Sequence, residues 1–183
     1  MAITVIDIPG YNHNSNSIWH PEFRQLIEES DNEIITLDLP GDKYPIFTEW
    51  YPIIEQAVRK SQHPITLVGH SLGTRAVLLL LEQAELSVEN IVLIAPFDNN
   101  TDNAKFRDGN YANFFEHSID IERVKKHIRD KIIVVGSEDD TKIPFIQAQN
   151  IARDLGGELI TIPHSGHFLD AKWAKVLSEI VTH

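Results

Sequence analysis

Gly69-His70-Ser71-Leu72-Gly73 has the G-x-S-x-G spacing of a serine presented on a tight turn. It follows an apolar run, Ile65 to Val68, and leads into Leu72 to Gln83, where apolar residues recur at helical spacing. Ser71 therefore falls at a strand-to-helix junction. A backbone turned that sharply is strained, and a side chain two residues away on either side would collide with neighbouring chain, so both flanking positions call for glycine. The helix N-terminus beneath the serine favours negative charge developing in front of it. These features suit a nucleophile attacking an acyl carbon. The alternative is a plain turn in which Ser71 caps the helix.

A serine hydroxyl is a weak nucleophile at neutral pH and needs a base held by a third group. The chain offers both downstream of Ser71, in the order serine, acid, histidine. An apolar run, Lys131 to Val135, ends in Gly136-Ser137-Glu138-Asp139-Asp140, which puts acids at the C-terminal edge of a strand. Asp140 lies four residues before Pro144, the usual offset, and is favoured over Asp139, with Glu138 a third candidate. The next strand ends at Pro163 and leads into His164-Ser165-Gly166-His167-Phe168. Gly166 frees the loop to swing a ring inward, which favours His167 over His164 as the base. The same chemistry needs donors for an oxyanion. The backbone N–H of Leu72 is one candidate. The other is the N–H of Tyr11, in Pro9-Gly10-Tyr11-Asn12, where Gly10 allows close approach.

Elements that would position these groups alternate along the chain. Strands are expected at Ile3 to Ile8, Glu33 to Asp38, Ile65 to Val68, Ile91 to Ala95, Lys131 to Val135 and Glu158 to Ile162. Helices are expected at Trp19 to Glu29, Phe47 to Lys60 (with Pro52 near its start or at a kink), Leu72 to Gln83, Ile119 to Ile128, Phe145 to Leu155 and Asp170 to Val181. This rhythm implies about six parallel strands with helices on both faces, joined by right-handed crossovers. The polar stretch Asp98 to Ser118 is an insertion at a strand end. It is either a ligand-facing loop or a plain surface loop. At about twenty residues it is too short for a large lid.

Ile8-Pro9-Gly10-Tyr11, Gly69 to Gly73, Gly136 to Asp140 with Pro144, and Gly166-His167-Phe168 together resemble the short α/β hydrolases related to retinoblastoma-binding protein nine. The resemblance covers nearly the whole chain. It implies the α/β-hydrolase fold and serine hydrolase activity, and it puts the second Asp of the run, Asp140, in a triad with Ser71 and His167. It does not carry over a retinoblastoma-protein contact, which depends on a Leu-x-Cys-x-Glu motif, because this chain has no cysteine. Relatives often have a His-Trp pair after the first loop; here Ile18-Trp19-His20 puts Trp19 in a shifted setting.

The bulk composition agrees with this reading. The chain of 183 residues fits one domain, residues 1–183, and its 42% hydrophobic and 23% charged residues are ordinary for a globular protein. A formal net charge of −11 argues against nucleic-acid and anionic-membrane partners. The N-terminus has no signal-peptide pattern, and there is no apolar run long enough to span a membrane. With no cysteine, disulfides and thiolate chemistry are excluded and the cytoplasm is the expected compartment. No metal is expected: His13 and His20 lack ligand spacing. No cofactor is expected either, since no glycine-rich phosphate cradle follows a strand. Phe47, Trp50 and Tyr51 are expected on one helix face, with a pocket-wall role open for Trp50 or Tyr51. The expected activity is carboxylesterase-like cleavage of a small ester or amide, with thioesterase or peptidase activity also open. The rival is a non-catalytic interaction module that keeps the fold.

Overall fold

The computed structural model describes residues 2–98 and 109–182. In chain order the elements are β1 (Thr4–Ile8), α1 (His20–Glu29), β2 (Glu33–Thr36), α2 (Phe47–Lys60), β3 (Ile65–His70), α3 (Leu72–Gln83) and β4 (Asn90–Ile94). They continue with α4 (Ile121–Lys125), β5 (Ile132–Gly136), α5 (Ile146–Leu155), β6 (Glu158–Thr161) and α6 (Ala174–Thr182). The six strands form one parallel sheet in the order β2-β1-β3-β4-β5-β6.

Sequence explains which strands lie inside. β1 and β3 are buried along their whole length, as β-branched runs covered on both faces must be. The edge strands β2 and β6 carry exposed residues, Glu33 and Ile35 in one and Glu158 and Thr161 in the other. Alternate residues feed two cores. Val5, Val68, Ile94 and Val135 pack beneath α1 and α6 with Phe23 and Leu177. Ile6, Leu67, Leu93 and Val134 pack on the opposite side with residues of α2, α3 and α5, among them Ile54, Leu80 and Ile151.

The strand order also fixes where a site can form. From β1 the chain moves outward to β2, then returns to the far side of β1 as β3 and proceeds the other way to β6. The loops leaving β1 and β3 therefore diverge, opening a crevice at the C-terminal ends of these two strands. Gly10, Tyr11 and Ser71 all lie there, and Ile8 is in register with Gly69.

Several boundaries shift from expectation, while α2 keeps its expected span. β3 runs on to His70, which pairs with Ile94. Pro52 lies inside α2 without ending it. The helix expected over Ile119 to Ile128 shortens to α4: the Asp120 carboxylate accepts the Arg123 N–H and sets its late start, and its last residue is Lys125. The last helix begins with a 3-10 turn, Ala171–Trp173, before α6.

Part of the polar stretch, residues 99–108, lies outside the described residues. The rest is docked rather than loose. A 3-10 turn, Ala112–Phe115, buries Phe114 and Phe115. The fully buried Arg75 of α3 donates to Phe114 O at 2.8 Å, to His117 O at 2.6 Å and to Asp98 Oδ1 at 3.0 Å. Nothing in the sequence marks Arg75 as buried; its partners lie 23 to 42 residues away.

Candidate active site

Ser71 stands alone between β3 and α3 with φ 52° and ψ −117°. For a residue other than glycine such a backbone costs on the order of 1–3 kcal/mol. Contacts on both sides hold it in place. Its N–H donates to Ile94 O at 2.9 Å, and its carbonyl accepts from the Thr74 N–H at 3.0 Å and the Thr74 hydroxyl at 2.6 Å. Its hydroxyl does not cap α3.

The glycines are required by crowding. A Cβ on Gly73 would lie 2.1 Å from Ile8 O and 2.8 Å from Pro9 O, and one on Gly69 would lie 2.8 Å from the Gly73 carbonyl carbon. A Cβ on Gly10 would meet His70 O at 2.9 Å and the Ser71 Cβ at 3.1 Å, so the loop after β1 rests directly on the Ser71 turn. Gly73→Ala must push α3 away from the end of β1. It is expected to destabilise the protein by about 3 kcal/mol or more, read as a drop in the urea midpoint. Gly156→Ala, at φ 70° in open space, is expected to cost only about 1–2 kcal/mol.

Ser71 Oγ lies 2.9 Å from Nε2 of His167, and Nδ1 of His167 lies 2.7 Å from Oδ2 of Asp140. The side chains of His167 and Asp140 are 8% and 3% exposed, so the row is shielded from water except at its serine end. Oδ1 of Asp140 accepts the Lys142 and Ile143 N–H groups at 2.7 and 2.9 Å, which fixes the carboxylate plane. A carboxylate can only accept, so the neutral His167 ring carries its hydrogen on Nδ1 and turns the Nε2 lone pair to the serine hydroxyl.

Asp139 has a different place. Its Oδ1 accepts from the Ser137 hydroxyl and the Gly166 N–H, bracing the turn that carries His167. The same two bonds hold its carboxyl below the usual carboxylate range. Glu138 and His164 are exposed.

Leu72 and Tyr11 both border the pocket in front of Ser71, and neither backbone N–H meets an acceptor among the described residues. The Tyr11 hydroxyl donates to Lys43 O at 3.0 Å and accepts from Asn110 at 3.1 Å. The pocket has a volume of about 340 Å³. Its apolar walls come from Leu72, Phe97 and Ile143, and its polar ones from His13, Asn110 and Lys142. Gly109, Asn110 and Tyr111 bring the described end of the polar stretch into this wall. Trp50 and Tyr51 do not line the pocket. Trp50 is buried against Phe114 and donates to Pro40 O at 2.8 Å, while Tyr51 packs on Phe47.

Behind the serine lies a group that sequence reasoning missed. Asp7 and His20 are fully buried and bonded at 2.7 Å. His70, also fully buried, lies 3.0 Å through Nε2 from the His167 carbonyl oxygen. Burial, reinforced by His167 and His20 nearby, pushes the His70 pKa well below the ordinary histidine value, and His13 is lowered mainly by burial too. Asp7 Oδ1, Trp19 Nε1, His20 Nε2, Thr36 Oγ1 and His70 Nδ1 are buried without a partner among the described residues. Leaving one such atom unpaired costs on the order of 1–3 kcal/mol. A signal was present, since an acid within the buried strand Thr4–Ile8 needs a partner. Among the described residues no three His, Asp or Glu side chains are grouped to hold a metal ion.

A protein-family model described as serine hydrolase matches residues 5–178. YdeN of Bacillus subtilis (strain 168), a protein named as a hydrolase, is 31% identical over 106 residues, which cover 57% of this chain and 53% of YdeN. The matched stretch thus spans about half the length of that relative. The crystal structure of the B. subtilis ydeN gene product superposes with a TM-score of 0.86 at 22% identity, covering 100% of this chain and 97% of that one. Polyneuridine aldehyde esterase superposes at 0.77 with 11% identity, covering 100% and 98%. A carboxylesterase structure from the thaumarchaeon Nitrososphaera gargenis superposes at 0.76 with 13% identity, covering 99% and 89%. At these identities the structural likeness establishes the α/β-hydrolase fold.

Proposed function

The chain belongs to the serine hydrolase family, and we propose that it hydrolyses a small ester through Ser71, His167 and Asp140. His167 Nε2 takes the Ser71 proton as Oγ attacks the carbonyl carbon. The Leu72 and Tyr11 N–H groups receive the oxyanion, and Asp140 holds the imidazole through Nδ1. His167 then returns the proton to the leaving alcohol. Water attacks the acyl-serine by the same route, releasing the acid and restoring the hydroxyl.

The observation that carries this reading is the unbroken row of bonds, 2.9 Å from Ser71 to His167 and 2.7 Å from His167 to Asp140, at the mouth of a pocket. A volume of about 340 Å³ is near the small end for ligand sites and suits a short acyl group. Among the described residues no lid domain stands over it. No helix there is long and apolar enough to cross a membrane. We take the substrate to be a small molecule met in the cytoplasm.

A fluorescent fluorophosphonate tests the reading, because it is captured only by an activated serine. Wild-type protein is expected to label to near one equivalent, and Ser71→Ala not at all. Well-folded wild type that stays unlabelled would sink the proposal.

A further inference from the structure

A second Asp–His pair lies behind the first. Asp7 of β1 and His20 of α1 are fully buried, with His20 Nδ1 2.7 Å from Asp7 Oδ2. Neither lines the pocket at Ser71, so the chemistry above makes no use of them. His70, the residue before the serine, stands between this pair and His167. The rings of Trp19, His20 and His70 form a triangle with centres 4.1, 5.8 and 6.5 Å apart.

Hydrogen bonding fixes what each ring offers. A carbonyl only accepts, so His70 Nε2 carries the hydrogen it gives to His167 O. In the neutral His70 ring, Nδ1 is then a bare lone pair. His20 Nδ1 carries the hydrogen it gives to Asp7, so Nε2 of the neutral His20 ring is likewise an acceptor. Trp19 Nε1–H can only donate. All three of these atoms are buried without a partner among the described residues. Two acceptors and one donor are the complement of a single water molecule, which donates twice and accepts. Two hydrogen bonds donated by one water, at its near-tetrahedral angle, span about 4.5 Å between the acceptors. The 6.5 Å between the His20 and His70 ring centres leaves room for that, because each nitrogen is offset from its ring centre.

We infer that Trp19, His20 and His70 hold one internal water that couples the buried Asp7–His20 pair to His70, and that His70 so held is a positioning residue for His167. Its role is to anchor the backbone of the base, 97 residues away, to the turn that carries the nucleophile. The other ties of this loop hold its neighbours: the Ser165 N–H to the Ser137 hydroxyl, the Gly166 N–H to Asp139 and the Phe168 N–H to Ser165 O, whereas His70 is bonded to the carbonyl of residue 167 itself. An imidazole whose backbone drifts by an ångström loses its line to the serine. The inference rests on reading His167 as the base.

Two measurements on the intact protein test it. Long-range proton–nitrogen spectra of the wild-type histidine rings at pH 7 are expected to show neutral His70 with its hydrogen on Nε2, and His20 with hydrogen on Nδ1. A His70 hydrogen on Nδ1, or a doubly protonated His70, overturns the network whether or not the enzyme turns over. In the second measurement, His70→Leu is expected to lower kcat on p-nitrophenyl acetate about 10- to 100-fold. KM should stay within about twofold, the mark of a group acting on the transition state. His70→Gln, whose amide can still donate to the His167 carbonyl, should recover most of the loss. A folded His70→Leu with wild-type kcat, or a Gln variant no better than Leu, overturns the positioning role. If His70→Leu does not fold, Trp19→Phe removes the indole N–H together with part of a buried ring: an unmoved His70 Nδ1 resonance in that variant overturns the water link. Failure of the triad reading appears separately, as wild type that fluorophosphonate does not label.

Discussion

Ester turnover by His167→Ala is expected to fall about 10⁴- to 10⁶-fold in kcat, and Ser71→Ala by a similar factor. Ser71 Oγ has a hydrogen-bonded partner in His167 Nε2 at 2.9 Å, and no other base among the described residues is bonded to it. Without that ring the serine is an ordinary alcohol; without the serine the ring has nothing to activate. The two act as a unit, so the double variant is expected to be no slower than either single one, whereas independent contributions would multiply. Steady-state kinetics on p-nitrophenyl acetate decide the matter. A His167→Ala enzyme keeping a tenth of wild-type turnover would remove His167 as the base.

Asp140→Asn is expected to lower kcat by about 10⁴ while Asp139→Asn lowers it by at most about tenfold. In Asp140→Asn the carboxamide oxygen can still accept the Lys142 and Ile143 N–H groups, so the turn keeps its shape. The amide then faces His167 Nδ1 with hydrogens instead of lone pairs. The imidazole is driven to carry its own hydrogen on Nε2, pointing at Ser71, where it cannot take a proton. Asp139→Asn keeps an oxygen for Ser137 and Gly166 and touches no ring nitrogen. Matched circular dichroism spectra would exclude unfolding as the cause. Equal losses in the two variants would break this assignment of roles.

Much of the sheet and of the row from Ser71 to Asp140 could be read from the chain, because both are written locally. The β-branched runs mark the inner strands. Ser71 sits between two glycines at a visible junction, and acid and histidine follow the ends of later strands. The choice between Asp139 and Asp140 was less legible, because adjacent residues in one turn differ only in direction. Two N–H groups further on, those of Lys142 and Ile143, settle which carboxylate meets the ring. Trp50 shows the limit on the other side: a helix face rich in aromatics does not say whether it meets pocket or core, and here Phe114 from the polar stretch takes it into the core. Arg75 and the Asp7–His20 pair depend on partners brought together only by folding.

Ser71 is separated from His167 by 96 residues, while Asp140 is only 27 from it. On the proposed chemistry this spacing has a consequence during synthesis. A ribosome making the chain completes β1, β3 and the serine turn well before the loop after β6 exists, so the emerging polypeptide carries an unreactive alcohol. The serine becomes a nucleophile only when β6 has been added to the edge of the sheet. Closure of that long contact is among the slower kinds of folding event, so on this reading activity arrives only late in folding.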